Sequence, residues 1–94
     1  MLKFKFEKGD TEGLVNYALS IIGVNMATLI VETREKIKFS FRSIGNFSVN
    51  DFAKQNFNGG GHKNAAGGSL EDKLSVALEK FLIAISKNEK LLNY

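Results

Sequence analysis

The chain has 94 residues, 44% of them hydrophobic, and its thirteen basic and ten acidic side chains give a net charge of +3. That length suits one domain with a single core, and leaves no room for a second. Cysteine is absent, which excludes disulfides and thiolate metal sites, and no apolar run nears the roughly 18 residues of a membrane span.

At the amino terminus, Met1 to Phe4 does not begin a signal peptide, so the expected location is the cytoplasm, with no membrane partner. Asp10 or Thr11 can cap a first helix in which Leu14, Val15, Ala18, Leu19 and Ile22 form an apolar stripe ending at Gly23. Met26 to Glu32 is apolar and β-branched, and Lys36 to Arg42 alternates strictly. The polar Thr33-Arg34-Glu35 between them predicts an antiparallel hairpin. Its second strand should bury Ile37, Phe39 and Phe41 and turn Lys36, Lys38, Ser40 and Arg42 outward as a basic ladder.

A second helix is announced by Ser48 with Asp51 at capping-box spacing and by Phe47 with Phe52 at the staple positions; it runs to about Phe57. His62 to Ala66 can start a short helix, and Ala66 to Ser69 a short third strand. Ser69 and Asp72 repeat the capping relation ahead of a long final helix whose core stripe is Leu70, Leu74, Ala77, Leu78, Phe81, Leu82 and Ile85. The expected fold is α/β, a small mixed or antiparallel sheet of about three strands packed with three main helices, spanning residues 1–94 as one domain.

Most aromatic side chains fall on these apolar stripes, which leaves Phe57 and Tyr17 as open candidates for base stacking. Leu91, Leu92 and Tyr94 suit local packing or an oligomer contact equally. The three aspartates, Asp10, Asp51 and Asp72, all fall at expected helix starts, where capping explains them without a metal. One histidine and three such aspartates do not make a metal-ligand set.

Residues 59 to 68 read Gly-Gly-Gly-His-Lys-Asn-Ala-Ala-Gly-Gly, the segment furthest from an ordinary soluble domain. Such a run marks either a tight turn beside a structural histidine or a loop whose bare backbone approaches a phosphate. Spacing alone does not choose between them. A P-loop is excluded because Lys63 follows His62, and the dinucleotide fingerprint fails because Asn64 stands where its third glycine belongs.

Gly59-Gly60-Gly61-His62 followed by Ala65-Ala66-Gly67, with Ser40-Phe41-Arg42-Ser43 about twenty residues upstream, resembles the DHH-associated domain. The likeness runs roughly from Gly9 to Ser86. That domain is the substrate-binding half of DHH-family phosphoesterases, among them nano-RNases, single-strand exonucleases, cyclic-dinucleotide phosphodiesterases and exopolyphosphatase-related proteins. The resemblance implies that Arg42, Gly60, Gly61 and His62 bind phosphate, with Gly59, Ser43 and Lys63 as secondary contacts. Arg42 would fork onto phosphate oxygens, the amides of Gly60 and Gly61 would donate, and His62 would donate from its ring.

The resemblance also implies manganese in a separate DHH catalytic domain, with no cofactor in this chain. The chain is then a fragment of a two-domain phosphoesterase or a free-standing binder, inactive alone. The expected ligand is a short single-stranded nucleic acid, a nucleotide or a cyclic dinucleotide. Two other readings stand beside it: a complete enzyme with unusual catalysis, and a nonenzymatic nucleic-acid-binding or interdomain packing module.

Overall fold

The computed structural model describes residues 3–11, 14–22 and 26–88. Six strands and two helices follow in the order β1 (Lys3–Thr11), β2 (Leu14–Ile22), β3 (Met26–Glu32), β4 (Ile37–Ser43), α1 (Val49–Asn56), β5 (Gly60–His62), β6 (Ala65–Leu70) and α2 (Leu74–Lys87). The strands form one antiparallel sheet with spatial order β1-β2-β3-β4-β6-β5. The domain is therefore mostly β. A six-stranded sheet with two helices replaces the expected three strands and three helices.

The difference arises at identifiable places. Residues 14–22, expected as a helix, form β2 between β1 and β3. Tyr17 and Leu19 are partly or fully buried while Ala18 and Ser20 are exposed, a period of two rather than 3.6. Asp10 is accordingly a strand residue opposite Val15 and caps nothing helical. The segment expected to start a short helix at His62 is a hairpin, β5 turning through Lys63 and Asn64 into β6. Ser69 does not cap the final helix: it lies in β6 opposite Lys38, and its N–H donates to the Phe57 carbonyl at 2.9 Å. Helix α2 starts later, at Leu74, after Lys73, and Asp72 Oδ1 instead accepts from the Lys73 N–H at 2.8 Å. Gly23 and residues 91–94, with the contacts suggested for Leu91, Leu92 and Tyr94, lie outside the described residues.

The predicted hairpin is present as β3 and β4, in register from Met26–Ser43 to Glu32–Ile37. Thr33 closes it, its N–H and hydroxyl both donating to the Lys36 carbonyl, at 3.0 and 2.7 Å. Along β4 the burial alternates as the sequence requires, with Ile37, Phe39 and Phe41 inside and Lys38 and Arg42 outside.

Both helices supply rings to the same core. Phe39 and Phe41 of β4 meet Phe57 at 4.5 and 5.3 Å between ring centroids and Phe81 of α2 at 6.2 and 6.3 Å, while Phe52 of α1 stands edge-on to Phe41 at 5.3 Å. These five rings are buried with Val49, Ala53, Ala77 and Ile85. Both helices pack their rings on the Phe39 and Phe41 side of the sheet, and the opposite face is open except at the β5 edge, where Asn50 and Lys54 of α1 approach Gly60. Among the described residues no helix is long and apolar enough to cross a membrane.

Candidate functional site

Directly opposite residues in an antiparallel sheet share a face, so the register assigns side chains to sides. Arg42 stands opposite Ala65, and Ala65 opposite His62, so these three form one row across β4, β6 and β5. The next row is Ser40, Gly67 and Gly60, and the one beyond it joins Lys38 to Ser69. These rows belong to the uncovered face, since the alternate residues Phe39, Phe41 and Ala66 are buried. At a strand spacing of about 4.8 Å, the Arg42 and His62 backbones are about 10 Å apart. Between them on β6 stand Ala65 and Gly67.

The glycines do not all act alike. A Cβ on Gly59 would fall on the Gly67 carbonyl, and one on Gly61 would lie 2.6 Å from the Ala65 carbonyl oxygen and 2.8 Å from Ala66 Cα. Those two let β5 lie tightly against β6. Gly68 is bare for a similar reason, because a Cβ there would meet Phe57 Cβ at 2.6 Å. Gly60 is different: its nearest neighbours would be side-chain atoms, Asn50 Oδ1 at 3.2 Å and Lys54 Cε at 3.4 Å. Part of the glycine cluster is thus structural, Gly60 lies beside the side chains of Asn50 and Lys54, and Gly67 has only the Phe39 carbonyl near its Cβ position.

The polar groups of the expected site divide likewise. The Gly61 N–H donates to Asn50 Oδ1 at 2.9 Å, so it points away from β6 and is already paired. By the alternation of a strand, the N–H groups of Gly60 and His62 then point into the β6 ladder. The loop offers close approach rather than free amides. Nor is a helix terminus available: the Val49 N–H of α1 donates to the Lys63 carbonyl at 2.8 Å, and the Asp51 N–H to Ser48 Oγ at 3.2 Å.

Ser43 is 7% exposed; its hydroxyl donates to the Phe47 carbonyl at 2.8 Å and accepts from Asn64 Nδ2 at 3.0 Å. Its hydroxyl fastens the loop after β4 to the β5–β6 turn. Arg42, His62 and Lys63 are exposed. Arg42 Nη1 donates to the Phe41 carbonyl at 2.8 Å, which steadies the guanidinium and leaves its other donors outward. Among the described residues the ion pair present is Lys5 with Glu7, so no carboxylate holds Arg42.

Phe57 is fully buried, and Tyr17 leans on Phe6 with ring centroids 5.4 Å apart on the helix-bearing side, so neither ring lies on the uncovered face. Among the described residues no group of three or more His, Cys, Asp or Glu side chains stands together to hold a metal ion. Asn50 and Lys54 were missed in the sequence; only their four-residue spacing on the helix that leads into the glycine loop could have pointed to them.

A six-stranded antiparallel sheet bearing two helices on one side, with an exposed arginine and histidine in one row of the other, defines a small, mostly β domain. The chain belongs to the DHHA1 domain family, which matches residues 1–89. It is similar to an exopolyphosphatase-related protein from Bacteroides fragilis, with 40% sequence identity and a TM-score of 0.73 over 80% of this chain. The match spans 22% of that protein's chain. No curated protein matches the chain significantly.

Proposed function

We propose that this domain binds the phosphate end of a short oligonucleotide, nucleotide or cyclic dinucleotide and presents it to a DHH catalytic domain that carries manganese. The observation that carries this reading is the row Arg42, Ala65, His62, which sets an exposed guanidinium and an imidazole on one face with only an alanine between them. Membership of the DHHA1 family and likeness to an exopolyphosphatase-related protein support the phosphoesterase setting. Arg42 forks onto phosphate oxygens, His62 donates from the opposite side, and Lys63 adds positive charge from the turn. Gly60 and Gly67 let the ligand reach the sheet, while Gly59, Gly61 and Ser43 hold the floor and its turns in place. Cleavage belongs to the catalytic partner, and the chain alone binds without turnover, in the cytoplasm.

The test is a titration with a 5′-phosphorylated dinucleotide followed by amide chemical shifts. Changes should centre on Arg42, Gly60 to Lys63 and Ala65. Arg42→Lys should weaken binding about tenfold although the charge is kept, because lysine cannot reproduce the paired donors. Equal affinity of the lysine variant, or shifts confined to the helical side, would replace this reading with diffuse attraction by a nonenzymatic binder.

A further inference from the structure

The geometry points to Lys54 of α1, steadied by the neighbouring Asn50, as a second cationic contact for the ligand, so that the binding face extends from the sheet onto the helix beside it. This rests on the phosphate-binding reading above and adds a residue outside the glycine motif. Three observations carry it. First, the stem of Lys54 lies along the glycine floor: its Cε and Cγ come within 3.4 and 3.5 Å of where a Gly60 Cβ would be. Gly60 is opposite Gly67, and Gly67 opposite Ser40, so Lys54 of α1 reaches the β5 end of the row next to that of Arg42 and His62.

Second, Asn50 and Lys54 are one helical turn apart, and Asn50 is pinned by the Gly61 N–H at 2.9 Å. Because that N–H is a donor, Oδ1 must face it, which leaves the Asn50 Nδ2 donors turned away and unpaired among the described residues. The bond also ties α1 to β5, so the position of Lys54 relative to the floor is fixed by the fold. Third, Lys54 is exposed and makes no ion pair among the described residues. A lysine held against bare backbone, with its ammonium one bond beyond the atom nearest the floor, is placed to meet an anion lying on that floor.

Arg42 then stands on β4 and Lys54 beside β5, at opposite ends of the row of strands β4, β6 and β5. The arrangement suits a ligand with two phosphates, one on the Arg42 and His62 row and the other against Lys54 and Asn50.

The experiment compares a 5′-phosphorylated dinucleotide, which carries two phosphates, with the corresponding nucleoside 5′-monophosphate, which carries one, on the wild-type chain and its variants. Lys54→Ala should reduce the affinity ratio of the two ligands about fivefold, the worth of one exposed charge contact. Lys54→Arg should restore it. Asn50→Asp, which keeps the acceptor for Gly61 but replaces the outward amide with a negative charge, should lower the ratio as well. An unchanged ratio in Lys54→Ala, with both ligands still lost in Arg42→Ala, overturns the helix contact and leaves the phosphate-binding reading standing. If neither ligand shifts the amides near Arg42 and His62 in the wild-type chain, both fall together.

Discussion

Within the glycine run, neighbouring residues of one type carry opposite obligations, and this can be measured. Gly59 and Gly61 have backbone atoms where their Cβ would be, and Gly61 also holds φ at +158°, whereas Gly60 has only the ends of two side chains nearby. Backbone cannot move aside as a lysine stem can. Gly59→Ala and Gly61→Ala should therefore each lower unfolding stability by about 1–3 kcal/mol, the usual cost of overpacking. Gly60→Ala should leave stability within about 0.5 kcal/mol and act on ligand affinity instead. Denaturant midpoints set beside titrations separate the two effects. A Gly60→Ala variant as unstable as the other two would show that its floor is a packing device as well. The sequence could rank none of this. It exposed the motif and the alternation that turns Arg42 outward, but which glycine faces backbone depends on how β5 and β6 approach.

At the scale of elements, one of the two capping signals was realised and the other, Ser69 with Asp72, was not. Ser48, Asp51, Phe47 and Phe52 announced α1, and the Ser48 hydroxyl does accept from the Asp51 N–H while the two rings pack 5.9 Å apart. The hairpin β3–β4 was equally legible from strict alternation. Residues 14–22 misled because Leu14, Ala18 and Ile22 complete a helical stripe as readily as Val15, Tyr17 and Leu19 complete a strand face. Ala18, small enough to be apolar yet exposed on a sheet, fits both patterns, and only pairing with β1 and β3 decides. The strand β1, with its Lys-Phe-Lys-Phe alternation, was readable but went unclaimed.

Helix α1 also ends by a rule that yields a prediction. Asn58 takes φ of +52°, and the Gly59 N–H reaches back to the Ala53 carbonyl at 3.2 Å, a helix stop built on a left-handed residue. Ser48→Ala should cost about 1 kcal/mol by releasing the first-turn amide. Asn58→Gly should instead be neutral or slightly stabilising, since glycine adopts this conformation without a steric penalty. Thermal melts of both variants check the pair, and a destabilised Asn58→Gly would mean that the asparagine side chain has a role beyond its backbone angle.

For the molecule as a whole, the question is whether a net charge of +3 or a defined site draws the ligand. The uncovered face carries Lys5 and Lys38 as well as Arg42, so a diffuse polyanion binder would use them all. The two modes respond differently to salt. Each phosphate neutralised on a single strand contributes about −0.7 to the slope of log affinity against log salt concentration. A site that holds two phosphates should give a slope no steeper than about −1.4, and lengthening the oligonucleotide beyond the dinucleotide should not steepen it. Diffuse attraction predicts a slope that grows with every added nucleotide until the sheet is spanned. The measurement needs only affinities for a series of 5′-phosphorylated oligomers between low and physiological salt. A slope that rises steadily with length would return Arg42 and His62 to the status of two surface residues among many. A constant slope would assign the recognition to the one patch where a guanidinium and an imidazole face each other over bare backbone.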